Sequence, residues 1–552
     1  MRDSRTEFAA AVTEAADERA REVLGGVDAL LGSDPHHRAV MGAAKALVAC
    51  AVNPGSAFFA SAEAEAAARR LVDFLAGMQA ANGLFDGENF ASPPDTAFTV
   101  NDLCDTYALL AIDPKGLAVL GDSLAAIAAR ASGPLRLGGV HTPNHRWELS
   151  SALAKLHWHW PDERLVARVD EWLAEGVDID ADGWYSERSP NYALWVSNPA
   201  LVAIGEHLGR PELLGLVERS LEAVAAAALP DGTVETVHSR RQDQKGTIPL
   251  APFLMQFRRF AIRRGRGDFA AVAAGIEGIA DPASALTEIL LEPDLAGPLP
   301  EPEARKAGTA VFAGSGLAVA RDGDFAVTVY GGSDYAAHGR IRSGLATNPT
   351  FLRLFAGEAV LDSVRLSRDF FGLGPFRADG LDADGNTFVL REKASAAYYG
   401  PLPAGLRRGD AVYELADEGR FSAAMDFAHR PAEEVALETS VQVAVGEREV
   451  AVKVAADPGR VRQVLELAFR EGGELERVLP VDGGFATEGA VAVYRRGGDR
   501  ITVEVDAKGA FTRGYHPGED YTHLGGTDAA QGIRLYVPLP ATGRCTVVLR
   551  AG

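Results

Sequence analysis

The sequence predicts an α+β multidomain chain, with helical hairpins curving into an α/α toroid over residues 1–300 and an antiparallel β-sandwich over residues 301–552. Three observations lead there. Gly32, Gly83, Gly133, Gly183 and Gly232 follow one another at intervals of 51, 50, 50 and 49 residues, a length that holds two helices and their loops. A Pro/Glu-rich stretch, LLEPDLAGPLPEPEARKAG, ends the alanine- and leucine-rich helical pattern near residue 300. Beyond it the apolar pattern changes to short runs of β-formers separated by tight turns.

In the first part, Leu71, Phe74, Leu75 and Met78 share one helical face, which stops at Asn82-Gly83. Leu213, Val217, Leu221 and Val224 do the same after Pro211, and Pro230-Asp231-Gly232 ends that helix. The recurring glycines then fall on one rim of a curved array whose central groove suits an extended ligand. In the second part, residues 317–321 and 325–330 flank Asp322-Gly323 as a hairpin, and residues 439–445, 450–454, 490–494 and 501–505 continue in the same manner. Helices first and strands second favour two domains over one α/β fold.

A chain of 552 residues is too long for one ordinary core, and 47% hydrophobic residues suffice to fill two. The formal net charge of −21, with no long Lys/Arg block, argues against nucleic acid as a partner. It does not exclude a polyanionic glycan, because a site needs only a few local donors. Cys50, Cys104 and Cys545 are odd in number and far apart, which is neither a disulfide framework nor a zinc spacing. No secretory h-region and no transmembrane stretch is visible, so no membrane partner is expected. The sequence as it stands reads as cytoplasmic, or as secreted if a leader has been removed. A homo-oligomer is compatible with it.

Polar clusters recur at the predicted rim. HTPNHRWELSSAL, residues 141–153, places Asn144, His145, Arg146 and Glu148 at a helix start, where backbone amides face anions. Taken alone, such an asparagine is usually a cap. DGWYSERSPNYALWVSNPAL carries Glu187, Arg188, Asn191 and Tyr192, with Tyr192 lying 47 residues after His145, about one repeat. A lone tyrosine there would ordinarily just pack. DGTVETVHSRRQDQ adds His238, Arg240 and Arg241 after the same kind of turn, and arginine suits fork-like recognition of a carboxylate. In the β half, His338 stands beside Tyr335, Arg340 and Arg342 in an unusually polar window. HWHWP at 157–161 resembles a metal motif, but residues two apart do not share a helix face. The Gly pairs lack the strand, loop and helix context of a nucleotide cradle.

The order Asn144-His145, then DGWYSERSPNY ending in Tyr192, then His338 followed by LFAGEAVLDS resembles the heparinase II/III-like polysaccharide lyases and their alginate-lyase relatives. The resemblance spans about residues 60–400. It implies an α/α toroid joined to an antiparallel β-sandwich with the active site in the groove between them, and a glycan partner containing uronic acid. It also implies that Asn144 neutralises the uronate carboxylate, that Tyr192 is the acid or base, and that His145 and His338 assist. Arg146, Glu148, Glu187, His238, Arg240, Arg241, Tyr335 and Arg340 are the expected substrate contacts. One departure stands out: members commonly show His-x-His-x-Asp in the β domain, and here HGRIR puts Arg340 at the second histidine. No metal and no cofactor is therefore expected.

These residue types suit β-elimination. A uronate C5 proton is weakly acidic while the neighbouring carboxylate keeps its charge, so donors such as Asn144 must stabilise the enolate-like state. Each such donor contributes about 3 kcal/mol. A positioned acid or base adds roughly 10²–10⁴-fold. The sequence leaves open whether Tyr192 serves both roles or shares them with His145 or His338. Two other readings stand beside this one. A glycoside hydrolase on the same scaffold would use Glu148 and Glu187. A non-catalytic glycan binder would use the rim arginines with Trp147, Trp184 and Trp195 as a sugar platform.

Overall fold

Side-chain oxygens begin several helices of the first 300 residues: Ser61, Ser92, Asp162 and Asp281 each accept from a backbone amide of the first turn. The computed structural model describes residues 4–87, 89–112, 117–413, 424–509, 520–521, 526–527 and 531–552. The chain divides into two units, Met1–Lys306 and Ala307–Gly552.

In the first unit the helices are α1 (Ser4–Leu31), α2 (His37–Val52), α3 (Ala62–Met78), α4 (Pro93–Leu109), α5 (Ala118–Leu137), α6 (His145–His159) and α7 (Glu163–Leu173). Then follow α8 (Pro190–Tyr192), a π-helical turn (Ala193–Ser197), α9 (Asn198–His207), α10 (Glu212–Ala226), α11 (Leu254–Arg264), α12 (Gly267–Ala274) and α13 (Pro282–Leu291). Helix α2 packs on α4, α4 on α6 and α6 on α9, while α13 returns to α2. Between them, Asn198 of α9 bonds Gln256 of α11, and Arg259 of α11 holds Glu292 beyond the end of α13. These six helices close an inner ring, and α1, α3, α5, α7, α10 and α12 pack outside it. The ring is the predicted toroid.

The predicted apolar faces point inward. Leu71 and Leu75 are buried in α3, as are Leu213, Val217, Leu221 and Val224 in α10. The rim glycines need a correction at one of five positions. Gly83, Gly183 and Gly232 have φ of +86°, +88° and +76°, the left-handed turn that glycine favours. Gly32 directly follows the last residue of α1 without needing a positive φ, whereas Gly133 lies inside α5, whose end comes at Gly138. The repeat therefore keeps its length but not the place of its turn.

The described strands of the second unit form two large sheets and one separate pair, Asp520–Tyr521 with Gly526–Thr527, and all pairings are antiparallel save for one parallel contact between Gly484–Thr487 and Ile533–Pro538. The predicted hairpin joins Leu317–Asp322 to Phe325–Tyr330, with Asp322 opposite Phe325. Ala432–Val445 and Glu449–Asp457 pair in the other sheet, as do Val491–Arg496 and Asp499–Val505. One buried core draws Val327, Leu354 and Leu467 from the first sheet and Leu390, Val452 and Ile501 from the second, so the unit is a sandwich.

Gly183 tests the turn that carries the second rim loop. A Cβ there would lie 2.5 Å from the Arg219 carbonyl oxygen, on a backbone that L-residues rarely adopt. Gly183→Ala should lower unfolding stability by about 1–3 kcal/mol. Gly215→Ala is the control, because a Cβ on that glycine, inside α10, meets nothing within 4 Å. Chemical denaturation of both variants checks this, and equal stability would dismiss the strain.

Candidate active site

Three rim loops meet in the first unit, and the residues that join them lie far apart in sequence. Arg241, beyond α10, donates through Nη1 to Glu187 Oε1 at 2.5 Å and through Nη2 to Tyr192 Oη at 2.8 Å. Its guanidinium also lies over the Tyr192 ring, 3.9 Å from the centroid. The neighbouring backbone is tied as well. The Arg240 amide donates to the Glu187 carbonyl, and Asp243 accepts from Ser189 and Ser239 at 2.6 and 2.5 Å. Tyr192 is the last residue before the π-helical turn, a local irregularity that often marks a working site.

The first loop contributes Asn144 and His145. Asn144 precedes α6 but is no side-chain cap: its backbone is already helical and its side chain makes no capping bond. Instead Oδ1 accepts from Thr142 Oγ1 at 2.7 Å, and the buried Nδ2 has no partner among the described residues. The adjacent His145 Nδ1 is likewise buried and unpartnered. Leaving such groups unbonded is costly, so both atoms are available to a polar group entering this loop. Burial, then the His141 ring and the charges of Arg241 and Arg38, push the His145 imidazole down to about 4 against the pull of Asp95. The ring is therefore neutral at pH 7. Burial raises the Glu187 carboxyl despite the opposing Arg241 charge.

Other expected contacts are placed differently. His238 is fully buried against Trp184, with ring centroids 4.5 Å apart, so it supports the rim and cannot touch substrate. Arg146 is spent on Glu175 and Asp178 at 2.9 and 3.1 Å and lies over Trp147, which removes it from the substrate contacts. Glu148, one turn inside α6, is buried and accepts from Asn101 Nδ2 at 2.6 Å. Burial pushes its carboxyl up to about 7. Arg240 donates to the Ser186 carbonyl at 3.0 Å. Trp147 and Trp184 are in the core, so they form no sugar platform, whereas Trp195 is 47% exposed. Tyr335, His338 and Arg340 belong to the second unit. His338 ends a short helix, α14 (Tyr335–His338), where it and Arg340 are exposed and Tyr335 lies under the Arg377 guanidinium.

Sequence reasoning missed Arg38, Asp95, Phe98 and Asn101. Arg38 pairs with Asp95 and lies 3.8 Å from the Phe98 centroid, and Phe98 meets His145 edge-on at 6.3 Å. One signal was present: HHR at 36–38 and NHR at 144–146 both open inner-ring helices. Among the described residues no group of three or more His, Cys, Asp or Glu side chains is arranged to hold a metal, and no helix is long and apolar enough to cross a membrane.

No family model and no curated protein sequence matches the chain. Solved structures do. Chondroitin AC lyase from Streptomyces coelicolor A3 is similar with a TM-score of 0.59 at 14% identity, over 99% of this chain and 79% of that one. Heparinase III gives 0.54 at 13%, over 88% of this chain and 75% of that one. Xanthan lyase from Paenibacillus gives 0.55 at 10%, over 99% of this chain and 59% of that one. The fold is the one these polysaccharide lyases share. Its toroid and sheets are those described above.

Acid should act against this toroid through its buried histidines. Burial holds His37, His145 and His207 down at about 4 and His238 at about 3, below the ordinary value of 6.5. Unfolded, each ring binds a proton below pH 6.5 that the folded state refuses, so stability present above 6.5 is lost as pH falls toward 4. Each histidine should contribute on the order of 1–3 kcal/mol, less at the partly exposed rings. The raised carboxyls of Glu148 and Glu187 act in the opposite sense over the same range, so the rings themselves are followed, by histidine NMR of the folded protein between pH 7 and 4.5. These four rings should stay neutral where a free imidazole takes up its proton, and protonation near 6.5 would mean that they are not held so.

Proposed function

We propose that this chain is a glycan lyase that cleaves a uronic-acid-containing polysaccharide or oligosaccharide by β-elimination, leaving an unsaturated uronate end. The observation that carries the reading is the Arg241 guanidinium donating to the Tyr192 phenolic oxygen beside two buried, unpartnered polar atoms on Asn144 and His145. The fold shared with chondroitin AC lyase, heparinase III and xanthan lyase supports it.

The uronate carboxylate accepts from Asn144 Nδ2 and from the neutral His145 ring, and as the C5 proton leaves these donors hold the charge that spreads onto the carboxylate. An imidazole held at about 4 is a weak base, which favours His145 as a donor and leaves proton transfer to Tyr192. The phenolic oxygen takes the C5 proton and delivers it to the C4 oxygen as that bond breaks, forming the C4=C5 double bond. Arg241 meets the negative charge of the phenolic oxygen before the C5 proton arrives and again once that proton has passed to the C4 oxygen, and Glu187 orients Arg241. One residue serving both atoms requires the C5 hydrogen and the C4 oxygen on one face, as in a 1,4-linked glucuronate. His338, exposed in the second unit, is assigned no step. The hydrolase reading has less support, since Glu187 is committed to Arg241 and Glu148 to Asn101.

Tyr192→Phe deletes one hydroxyl and keeps the ring under Arg241, so the fold and glycan binding should persist while turnover falls at least about 10²-fold. Asn144→Ala should lower turnover and also the preference for uronates over neutral sugars. Ultraviolet absorbance and product mass on a panel of uronic-acid polymers and oligomers read both. Near-normal turnover in Tyr192→Phe refutes the proton-transfer role, and a product carrying an added water replaces the lyase with a hydrolase.

A further inference from the structure

The inner helices surround an axial cavity of about 460 Å³, within the roughly 300–1,000 Å³ range of small-molecule sites. It begins beside the candidate active site, because Arg38 and Phe98 line it and Phe98 also meets His145. From there Glu148, Ser151 and Lys155 carry its wall down α6. Lys155 is ten residues past His145, about 15 Å at the helical rise.

The chemistry of the wall is unusual for a cavity next to an anion site. Its cations are already paired: Lys45 Nζ bonds Asp102 at 2.5 Å and Ser284 at 3.1 Å, and Lys155 Nζ bonds both oxygens of Asp105 at 2.7 and 2.9 Å. Each pair still has spare protons and lone pairs, so the wall offers donors and acceptors together while neither pair carries net charge. Hydroxyl groups, each donor and acceptor, match such a surface. A carboxylate or sulfate would need an uncommitted cation and would face paired carboxylates instead. Trp195, half-exposed on the wall, adds a ring for the apolar face of a sugar. At the far end, Glu288 belongs to an ion network in which buried Arg259 also holds Glu206 and Glu292. A chain threaded through would have to break that network, whereas a chain end would not.

We propose that the axial cavity of the toroid binds a neutral, hydroxylated sugar ring, the terminal residue of the glycan chain whose neighbouring uronate lies at Asn144 and Tyr192. Its place in a reaction rests on the lyase reading, but the binding does not. Gly42 of α2 lines the cavity, and a Cβ there meets nothing within 4 Å, so a side chain can start from that position without backbone strain and without the helical cost of glycine.

The test is binding to the full chain by saturation-transfer NMR and calorimetry, with glucose, galactose, mannose and N-acetylglucosamine as neutral probes and glucuronate and glucose 6-sulfate as charged ones. At least one neutral sugar should bind, at least about tenfold tighter than either charged probe. Gly42→Phe should weaken it at least tenfold, Trp195→Ala should weaken it also, and Gly215→Ala, in α10 and outside the cavity lining, should leave it unchanged, with thermal melts confirming folded variants. Failure of every neutral sugar to bind, equal binding by the charged probes, or full binding in Gly42→Phe overturns the proposal. The ultraviolet assay separates the two readings. Sugar binding that is lost in Gly42→Phe, in a wild type that makes no unsaturated product, upholds the cavity and removes the lyase. Unsaturated product with binding indifferent to Gly42→Phe removes the cavity alone.

Discussion

The buried ion pair between Arg241 and Glu187 is the contact on which the candidate site depends. It joins a loop beyond α10 to a loop beyond α7 across 54 residues, and it is what leaves the second arm of the guanidinium aimed at Tyr192. Both partners are largely shielded, with side chains 19% and 9% exposed, so each has given up water to be there. Such a pair adds little net stability over an apolar replacement, yet losing one partner strands a charge. Its retention makes more sense as positioning than as glue. The surrounding bonds of Asp243 to Ser189 and Ser239 serve the same alignment and engage both carboxylate oxygens.

The inner ring explains why these loops coincide. His145, Tyr192 and Arg38 all stand at the N-terminal ends of inner-ring segments, where free backbone amides and aligned dipoles favour an anion. The same ring, by closing, creates the axial cavity, so an anion-favouring rim and a charge-balanced interior are two consequences of one packing arrangement. The difference lies in partnering. On the rim Asn144 Nδ2 and His145 Nδ1 are left unbonded, whereas inside, the charges of Lys45 and Lys155 are balanced by Asp102 and Asp105.

The fold class was legible because it is written in local patterns: apolar residues at helical spacing in α3 and α10, and runs of β-formers either side of Asp322-Gly323, which name their elements without reference to distant partners. The repeat length was legible too, since Gly83, Gly183 and Gly232 occupy equivalent turns. The loops bearing Asn144, Tyr192 and Arg241 could be grouped from sequence because each follows a helical hairpin at the same interval.

What those residues do was decided by tertiary structure. Arg146 and Arg241 look alike in sequence, each a basic residue at a rim loop, but one is bound to Glu175 and Asp178 and the other to Tyr192. His238 and His145 look alike as well, and burial against Trp184 takes the first out of reach. Trp195 and Trp184 part the same way, one half-exposed on the cavity wall and one in the core. Burial and hydrogen-bond partnership are sums over atoms that lie 30 to 60 residues away in the chain, as with Arg241 and Tyr192 at 49. A local pattern specifies which face of a helix turns inward, and only the closed ring determines what that face meets.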